Sequence, residues 1–204
     1  MKEMWDTRYA SESYAYGIAP NEFFKNSLAT YKPSGKLLLP AEGEGRNAVY
    51  AAKKGVEVTA FDISIEGRKK ALKLAEKENV AINYEVGDFF DLPLINEKFD
   101  SAALIYAHFP PPILSKYHKK ISDLIVPNGL IMLEGFSTNH LKLRAENPEI
   151  GGPNKIEMLF SKESIQQDFS DFEIVQLEEV QIELKEGEFH NGIGSVIRFI
   201  GRKK

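Results

Sequence analysis

The sequence contains no cysteine among its 204 residues, which excludes disulfides, thiolate metal sites and cysteine nucleophiles. It also lacks any apolar run long enough to cross a membrane, and Met1–Asp6 has none of the features of a signal peptide. The four histidines are scattered without the spacing of a metal site. Internal repeats and low-complexity tracts are absent as well. We therefore expect a cytoplasmic protein without a metal centre.

Basic charge is also scarce, since 26 lysines and arginines stand against 30 aspartates and glutamates and give a net charge of −4. Such a balance does not favour binding to a nucleic-acid backbone, and nothing indicates a membrane partner. The remaining composition, with 43% hydrophobic and 27% charged residues, is ordinary for a globular protein. A chain of 204 residues suits one domain. We expect a single domain over 1–204, present as a monomer or a homodimer.

The most informative stretch begins with an apolar run, Lys36–Ala41, and a turn that contains Gly43 and Gly45. A helical segment to about Lys54 follows, and a second apolar run, Val56–Asp62, ends in an acid. This order of strand, glycine turn, helix, strand and acid is typical of the nucleotide-binding half of a doubly wound sheet. Glycines allow a sharp turn and a close approach to a ligand. The acid at the end of the strand can accept hydrogen bonds from ribose hydroxyls.

The glycine turn is acidic. Gly43, Gly45 and Ala48 formally satisfy the dinucleotide fingerprint, but Glu42 and Glu44 flank the first of these glycines. Two carboxylates in a partly dry cleft would repel a doubly negative pyrophosphate, whereas they would tolerate a cationic nucleoside such as S-adenosylmethionine. Glutamates that simply point to solvent are the alternative. A nicotinamide or flavin oxidoreductase and a non-catalytic S-adenosylmethionine-binding module are therefore kept as competing interpretations.

Further strands and helices alternate along the chain, which ends in two long strand-like runs joined by a short turn. The predicted helices cover Asn21–Thr30, Ser64–Glu78, the segment after Pro110–Pro112, and Ser161–Phe169. The predicted strands cover Ala81–Val86, Phe99–Tyr106, Leu130–Glu134, Phe172–Leu184 and Phe189–Gly201. A turn is predicted at Pro127–Gly129. Ile65, Leu72 and Ala75 form the expected inner stripe of the helix that Ser64 caps. The order predicts an α/β fold with a doubly wound, Rossmann-like, mostly parallel sheet and an antiparallel C-terminal hairpin.

Two segments lack the periodicity of core elements. Residues 1–34 are rich in aromatics, and Gly17 offers a hinge beside Tyr14 and Tyr16. Residues 136–160 form a long connection, and such connections are usually functional or mobile. Because both segments flank the carboxyl edge of the predicted sheet, we expect them to roof the substrate pocket. A helix packed on the edge of the sheet is the alternative for the N-terminal segment, and both interpretations can hold at once.

Short motifs follow one another along nearly the whole chain. They are Trp5–Tyr9, Tyr16–Asn21, Glu42–Val49, Asp62–Ser64, Gly87–Phe89, His108–Pro112, Pro127–Leu130, Leu133–Phe136, Gly151–Pro153 and Met158–Phe160. In this order they resemble the class I S-adenosylmethionine-dependent methyltransferases, and among them the small bacterial tellurite-resistance and thiopurine-type enzymes. The resemblance implies a seven-stranded sheet, S-adenosylmethionine as cofactor, and a small-molecule acceptor that is methylated on sulfur, selenium, tellurium, nitrogen or oxygen.

Two residues depart from the pattern of that family. Leu39 stands where the family usually has an acid near the end of the first strand, and Ala41 replaces the first glycine of the motif. The fold prediction is not affected by these changes. They bear on how the methionine end of the cofactor is held, and we expect Glu42 to take over part of that role.

The resemblance assigns cofactor-binding roles to individual residues. Asp62 would accept hydrogen bonds from the ribose hydroxyls and Asp88 from the adenine amino group, with Phe89 near the ring. The alternatives are a helix N-cap or loop acid for Asp62, and a turn residue for Asp88. Tyr106 would line the cofactor, or be a core aromatic with a satisfied hydroxyl. The other expected cofactor contacts are Tyr16, Ala41, Glu42, Gly43, Gly45, Asn47, Ile63 and Ala107.

The acceptor side is predicted in less detail. Tyr14, His108 and Phe136 are expected to contact the acceptor, and His108 is the candidate for orienting or deprotonating it, with a structural histidine as the alternative. We expect His118 and His140 at the surface. His190 matches a position that the family also fills with histidine, but it has no assigned role. The expected reaction is an in-line methyl transfer, to which the protein contributes alignment and the exclusion of water.

Overall fold

A computed structural model describes residues 1–94 and 97–204 and contains a seven-stranded sheet. The strands are β1 Lys36–Pro40, β2 Glu57–Asp62, β3 Asn83–Val86, β4 Phe99–Ile105, β5 Ile125–Phe136, β6 Phe172–Glu186 and β7 His190–Lys203. They are ordered β3-β2-β1-β4-β5-β7-β6. Strands β1 to β5 pair in parallel, and β7 pairs antiparallel with both β5 and β6. The predicted fold class is confirmed, including its antiparallel C-terminal hairpin.

Helices accompany the sheet along the described residues. They are α1 Lys2–Tyr9, α2 Glu22–Tyr31, α3 Arg46–Lys53, α4 Ile65–Lys77, α5 Pro111–Leu124, α6 His140–Glu146 and α7 Lys162–Asp168, with 3₁₀ turns at Pro148–Ile150 and Ile156–Met158. None of these helices is long and apolar enough to span a membrane. Helix α6 lies outside the predicted elements, and α1 lies in the N-terminal segment for which a helix is the alternative prediction. Each buries one residue, Tyr9 or His140, and therefore has no apolar stripe to detect.

The first strand is apolar throughout because helices cover both faces of the sheet. Leu37, Leu38 and Leu39 of β1 are fully buried and alternate between two apolar clusters. Leu38 joins the cluster under α5 and α7, whereas Leu37 and Leu39 join the cluster under α2, α3 and α4. Burial of a leucine stabilises the fold by about 1.5–3 kcal/mol. The continuous apolar run therefore reflects burial on two sides.

Side-chain caps define where several helices begin. The Asn21 side chain accepts a hydrogen bond from a backbone N–H of α2, and the Ser64 hydroxyl accepts one from a backbone N–H of α4. Ser161 forms a reciprocal capping box with Ser164 at the start of α7. The predicted helix starts at Ser64 and Ser161 are confirmed.

The predicted inner stripe of α4 is wrong in part. Ala75 is buried, but Ile65 and Leu72 are only partly buried, and the helix turns Ala71 inward instead. A Cβ atom on Gly45 would lie 2.5 Å from the Ala71 Cβ. Small residues face α3 because the two helices approach closely, so the spacing of the large apolar residues does not identify this contact face.

Strand β5 begins earlier than predicted. It starts at Ile125 and includes the predicted turn Pro127–Gly129, where its pairing with β4 is irregular. Asn128 has a left-handed φ of 66° there. A Cβ atom on Gly129 would lie 2.8 Å from the Asp100 carbonyl oxygen, so glycine is needed for close contact between strands. The turn-forming residues therefore belong to an irregular strand pairing rather than to a separate loop.

Candidate active site

The glycine turn lies at the carboxyl edge of the sheet, between β1 and α3. Ala41, Gly43 and Gly45 have φ values of 51°, 61° and 85°, all in the left-handed region. Glycine adopts this region freely, whereas it strains Ala41 by about 1–2 kcal/mol. The Gly43 N–H donates to Asp62 Oδ2 at 3.1 Å, and the Gly43 carbonyl accepts from the Tyr84 hydroxyl at 2.5 Å. Side chains of β2 and β3 therefore fix the position of the turn.

Glu42 caps helix α3 with its side-chain carboxylate. Its Oε1 accepts from the Asn47 N–H at 2.8 Å and from the Ala48 N–H at 2.7 Å. Burial raises the pKa of Glu42 to about 7, although these hydrogen bonds oppose the shift. A helix N-terminus is a ready anion site in nucleotide-binding folds. Because Glu42 already fills this position, the turn suits a cofactor without phosphate.

The Asn47 side chain links two helices. Its Oδ1 accepts from the Asn21 N–H at 2.9 Å, which joins the start of α3 to the start of α2. Asn47 is 4% exposed. The expected cofactor contact of Asn47 therefore competes with a hydrogen bond inside the protein.

Glu44 is also buried, and it ties the N-terminal segment to the turn. Its Oε1 accepts from Lys70 Nζ at 2.7 Å, and its Oε2 accepts from the Ala15 N–H at 2.8 Å. Burial raises the pKa of Glu44, and the ammonium of Lys70 opposes that shift. Neither Glu42 nor Glu44 points to solvent, so that alternative interpretation of the acidic turn is wrong.

Asp62 lies at the end of β2, and its carboxylate is held by backbone amides. Its Oδ1 accepts from the Ser64 N–H at 2.9 Å, while Oδ2 accepts from Gly43. Burial raises the pKa of Asp62 to about 6, against the effect of these amides. Ile63 beside it is partly buried. Tyr9 of α1 covers the turn, because a Cβ atom on Gly43 would lie 2.6 Å from the Tyr9 hydroxyl oxygen.

Asp88 and Phe89 follow β3 but face opposite ways. Asp88 is exposed and accepts a hydrogen bond from the Phe90 N–H at 2.9 Å. Burial raises the pKa of the Tyr117 hydroxyl, and the nearby Asp88 raises it further. Phe89 is fully buried and stacks on Phe61 with ring centroids 4.6 Å apart. The expected position of Phe89 beside a cofactor ring is therefore wrong. Its side chain belongs to the core under α5.

Tyr106 ends β4 in a strained conformation with φ 53°, and such strain clusters at functional sites. Burial and the neighbouring Glu134 raise its pKa, yet no hydrogen bond reaches its buried hydroxyl from the described residues. Its ring centroid lies 4.7 Å from Phe136 and 4.8 Å from that of His190. Ala107 is 2% exposed and belongs to the core cluster under α5. Of the two expected contacts after β4, only Tyr106 places its side chain among the aromatic rings at this edge.

His108 holds a structural position. Its Nε2 accepts from the Phe136 N–H at 3.0 Å, so its Nδ1 carries the proton that is donated to the Met158 carbonyl at 2.8 Å. Burial lowers the pKa of His108 to about 4. A general base needs a free lone pair within reach of the substrate proton. The geometry contradicts His108 as a catalytic base and supports the structural alternative.

The expectation that His118 and His140 lie at the surface is wrong. Both are fully buried. His118 Nδ1 lies 2.7 Å from Asp168 Oδ2, which joins α5 to α7, and His140 Nε2 lies 3.0 Å from the Gly151 carbonyl oxygen. Both histidines therefore connect chain segments through hydrogen bonds in the interior, where hydropathy alone does not place them.

The two expected aromatic contacts to the acceptor lie in different places. The Tyr14 hydroxyl donates to the Lys70 carbonyl at 3.1 Å, and its ring packs beside Leu74 of α4. Lys70 Nζ lies 5.1 Å from the ring centroid, and this cation–π contact holds Tyr14 against α4. Phe136 instead joins the cluster that contains Tyr106. Tyr14 is therefore held against α4, and its contact with the acceptor stays a prediction.

His190 and Glu186 form a pair at the turn of the C-terminal hairpin. They are register partners across the turn between β6 and β7, and His190 Nδ1 lies 2.9 Å from Glu186 Oε2. The rings of Tyr16, Tyr106 and Phe136 surround the imidazole, with centroid distances of 4.6, 4.8 and 5.2 Å. Burial lowers the pKa of His190, which favours the neutral ring. No described residue hydrogen-bonds to Nε2, so its lone pair is available.

A network of buried charges holds Glu186 in place. Arg46 lies 3.0 Å from the Glu186 carboxylate. Asn21 Nδ2 donates to Glu186 at 3.2 Å and to Glu134 at 2.6 Å. Arg198 pairs with Glu134 at 2.7 Å. Burial opposes ionisation of Glu186, but the imidazole and Arg46 outweigh burial and hold its pKa at about 2, so the ionised carboxylate keeps the imidazole proton on Nδ1.

The N-terminal segment and the hairpin turn meet above the aromatic rings. Ser13 Oγ donates to Glu188 at 2.9 Å, and the Glu188 N–H donates to the Ala15 carbonyl at 2.9 Å. We call residues 8–17 and 187–189 the roof. The N-terminal half of the roof was expected, whereas the hairpin turn was not.

The 136–160 connection is packed more firmly than its sequence indicates. It contains α6 and two 3₁₀ turns. Phe136, Ile150 and Leu159 are buried in one cluster with Leu184 of β6. The connection therefore borders the aromatic rings through Phe136 and is anchored to the hairpin by its own apolar residues.

Two cavities on the outer surface lie away from this edge. One of about 580 Å³ runs along α5 beside Phe90 and Lys120, and one of about 480 Å³ lies at the amino edge of the sheet beside Lys36, Glu57 and Asn83. Within residues 1–94 and 97–204, no three acidic or histidine side chains are grouped to hold a metal ion.

Comparison with known proteins decides among the ligands that the turn could bind. Residues 40–129 match the model of a family described as a methyltransferase domain. This segment, which makes up less than half of the chain, is therefore similar to a methyltransferase domain. S-adenosylmethionine is therefore the cofactor of this methyltransferase, and the donor set fits it: Glu42 fills the phosphate position, and Asp62 lies buried where ribose hydroxyls are expected. A comparison with curated protein sequences finds no match.

Solved structures with a similar fold include several methyltransferases. A protein studied for "Conversion of a Disulfide Bond into a Thioacetal Group during Echinomycin Biosynthesis" has a TM-score of 0.80 at 18% identity, covering 100% of this methyltransferase and 92% of that chain. TehB from Haemophilus influenzae has a TM-score of 0.70 at 16% identity, with 100% and 67% covered. Magnesium protoporphyrin IX methyltransferase (ChlM) from Synechocystis PCC 6803 with bound SAH has a TM-score of 0.67 at 15% identity, with 89% and 80% covered. At these sequence identities the similarity shows a shared fold and nothing more.

Proposed function

We propose that this methyltransferase methylates a small organic acceptor and that His190 is the base that removes the acceptor's proton. The observation that carries the proposal is the pair of His190 and Glu186. The pair lies at the carboxyl edge of the sheet, it is enclosed by aromatic rings, and the Nε2 lone pair has no partner among the described residues. A neutral imidazole whose other nitrogen is bound to a carboxylate is the usual arrangement of a general base.

The cofactor would lie across the carboxyl ends of β1, β2 and β3. Asp62 would accept hydrogen bonds from the ribose hydroxyls, and the exposed Asp88 would accept one from the adenine amino group. The turn of Ala41 and Gly43 provides the backbone against which the methionine end would lie. Tyr106 would lie beside the sulfonium, because it follows β4 at the carboxyl edge of the sheet and its ring contacts the His190 imidazole.

S-adenosylmethionine, held by Asp62, Asp88 and the glycine turn, would supply an electrophilic methyl group with S-adenosylhomocysteine as the leaving group. His190 Nε2 takes the proton from the acceptor's heteroatom as the bond to the methyl group forms. Glu186 stabilises the resulting imidazolium through Nδ1, and Arg46 keeps Glu186 ionised. The roof and the aromatic rings exclude water, which strengthens these charge interactions during transfer.

Aromatic walls also limit the class of acceptor. Tyr16, Tyr106 and Phe136 pack around the His190 imidazole, and we expect the acceptor to lie against these rings. Such surfaces bind apolar or aromatic compounds. A compact buried site of this kind suits a small molecule rather than a polymer.

The test is the release of S-adenosylhomocysteine over a panel of aryl thiols, phenols and anilines. His190→Gln and Glu186→Gln should lower kcat by about 10²–10⁴-fold for acceptors that are protonated at neutral pH. The loss should be smaller for thiols that are already ionised, because they need no base. Affinity for S-adenosylhomocysteine should stay within about twofold, a change of only tenths of a kilocalorie.

Glu183→Gln provides the matched control. Glu183 also lies on β6, but it is exposed and pairs only with the neighbouring Lys185 among the described residues. Its kcat should equal that of the wild type. Equal kcat for His190→Gln and wild type across the whole panel would show that His190 is not the base.

A further inference from the structure

Arg8 is a guanidinium without an acidic partner at the roof. It lies in the last turn of α1 and is partly buried. Its NH1 donates to the Tyr16 hydroxyl at 2.7 Å. Its Cζ lies 5.0 Å from the ring centroid of Trp5 and 4.5 Å from that of Phe189. No carboxylate of the described residues lies within ion-pair distance of it.

The other arginines around the site are paired. Arg46 pairs with Glu186 at 3.0 Å, and Arg198 pairs with Glu134 at 2.7 Å. Partly buried charges are normally compensated in this way, because removing a charge from water without a partner is costly. Arg8 makes one hydrogen bond to a neutral hydroxyl and has further N–H groups to donate. It is therefore equipped to receive an anion.

Arg8 also lies on the same side of the sheet edge as the proposed base. The Tyr16 ring, whose hydroxyl receives the Arg8 hydrogen bond, contacts the His190 imidazole at 4.6 Å between centroids. Phe189, which stacks on Arg8, directly precedes His190 in the hairpin turn. A small molecule between the roof and the imidazole would therefore lie within reach of both groups.

We propose that Arg8 binds a carboxylate of the methyl acceptor, so that the substrates are small aromatic carboxylates with a nucleophilic heteroatom. This inference rests on the proposed function. The planar guanidinium fork matches the two oxygens of a carboxylate. Trp5 and Phe189 keep the fork in one orientation by stacking on the guanidinium. The aromatic walls hold the body of the acceptor, and Arg8 and His190 then define its two ends.

The test compares 4-mercaptobenzoate with thiophenol, two aryl thiols that differ by one carboxylate. In the wild type, KM should be about tenfold to a hundredfold lower for 4-mercaptobenzoate, the usual range for a charge-assisted pair. Arg8→Gln should remove this preference and leave KM for thiophenol within about twofold. Arg8→Lys retains the charge and loses the planar fork, so its preference in KM for 4-mercaptobenzoate should lie between those of the wild type and Arg8→Gln.

A binding measurement separates this inference from the proposed function. Calorimetry of benzoate with the S-adenosylhomocysteine complex needs no methyl transfer. Benzoate should bind the wild type and the Lys25→Gln control, which removes an exposed cation of α2, and should bind Arg8→Met at least about tenfold more weakly. Arg8→Met keeps the aliphatic stem, and unchanged affinity for S-adenosylhomocysteine confirms an intact site.

The outcomes of the two experiments are distinct. If no aryl thiol, phenol or aniline is methylated but benzoate still binds through Arg8, the proposed function fails and the anion site stands. Two results would overturn the role of Arg8. One is equal benzoate affinity in wild type and Arg8→Met, and the other is no benzoate binding at millimolar concentration.

Discussion

The Ser64 hydroxyl donates a hydrogen bond to the Asp6 carboxylate at 2.6 Å and thereby joins α1 to the start of α4. The same hydroxyl accepts from the Gly67 N–H, and the Ser64 N–H donates to Asp62. One serine therefore connects the N-terminal helix, a helix cap and the acid expected to bind ribose. Because Tyr9 also covers Gly43, α1 packs directly against the glycine turn. We therefore expect cofactor entry to require movement of α1.

We expect hydrogen exchange to report this movement. Addition of S-adenosylhomocysteine should slow exchange in residues 5–20, because a bound cofactor stabilises the roof. Exchange in residues 136–160 should also slow, but less, since Ile150 and Leu159 are already buried. Protection confined to the glycine turn would contradict a lid role for both segments.

A substitution in α1 tests the same contact without ligand. Asp6→Asn weakens the bond to Ser64 and should speed exchange in residues 2–10. Glu3→Gln is the matched control, because Glu3 is an exposed acid of the same helix. Hydrogen exchange in residues 2–10 of Glu3→Gln should equal that of the wild type.

Asp62→Asn should weaken binding of S-adenosylhomocysteine by about 1–3 kcal/mol, the usual effect of losing a buried charged acceptor. The fold should persist, since the amide oxygen of asparagine can still accept one of the two backbone hydrogen bonds. Calorimetry gives the affinity and thermal unfolding gives the stability. Asp91→Asn changes an exposed acid after β3 and should leave both unchanged.

Affinity for the cofactor should also depend on pH through Asp62. Its folded pKa is about 6, so the carboxylate ionises as the pH rises through that value. The ionised form is the better acceptor, and affinity for S-adenosylhomocysteine should therefore rise between about pH 5 and pH 7. In Asp62→Asn this rise should be lost. A rise that persists in the variant would assign it to another group.

Glu42 should make the folded protein less stable as pH rises. Its pKa is raised from 4.5 to about 7 on folding, so the folded state holds a proton that the unfolded state has released between these values. The free energy of unfolding contributed by this group is therefore full below about pH 4 and declines by a few kcal/mol up to about pH 7. Urea unfolding at about pH 5 and pH 8 measures the decline.

Glu42→Gln isolates this contribution. Glutamine does not titrate, so the decline between the two pH values should be smaller by about 2–3 kcal/mol. The low pKa of Glu186, about 2, affects stability only below this window. Glu57→Gln changes an exposed acid on β2, and its free energy of unfolding should decline between the two pH values as much as that of the wild type. An unchanged slope in Glu42→Gln would show that the carboxyl of Glu42 keeps an ordinary pKa in the folded state.

Ala41→Gly should stabilise the protein by about 0.5–1 kcal/mol. The left-handed φ of Ala41 costs about 1–2 kcal/mol, and the greater freedom of glycine in the unfolded chain offsets part of the gain. Ala52→Gly in α3 is the opposite control, since glycine inside a helix costs about 1 kcal/mol. Destabilisation by Ala41→Gly would show that the methyl group makes a contact worth more than the strain.

Features that depend on neighbouring residues were predictable from the sequence. The glycine turn, the caps at Ser64 and Ser161, and the acid at the end of β2 each follow from local backbone chemistry. The parallel sheet follows from the alternation of apolar runs and helices. These elements predict, without information about distant contacts, that the glycine turn and Asp62 lie at the carboxyl edge of the sheet, as the structure shows.

Features that depend on which side chain turns inward were not predictable. Phe89 and Phe90 are adjacent and equally apolar, yet Phe89 is buried and Phe90 is exposed, because the direction of the chain after β3 decides between them. The pairing of Glu186 with His190 depends on the register of a long hairpin. In the sequence it appears only as two polar residues on either side of a turn. The burial of His118 follows from a hydrogen bond to Asp168 on another helix.

The roof joins parts of the chain that are synthesised far apart in time. Ser13 and Glu188, which are hydrogen-bonded, are separated by 175 positions in the sequence. Contacts between distant positions form late, because closing a long loop costs entropy before any contact compensates for it. The N-terminal half of the roof must therefore wait for the much later hairpin of β6 and β7 before it can dock. A nascent chain can complete the glycine turn and its neighbouring strands early, but we expect it to enclose a cofactor only after that hairpin has emerged.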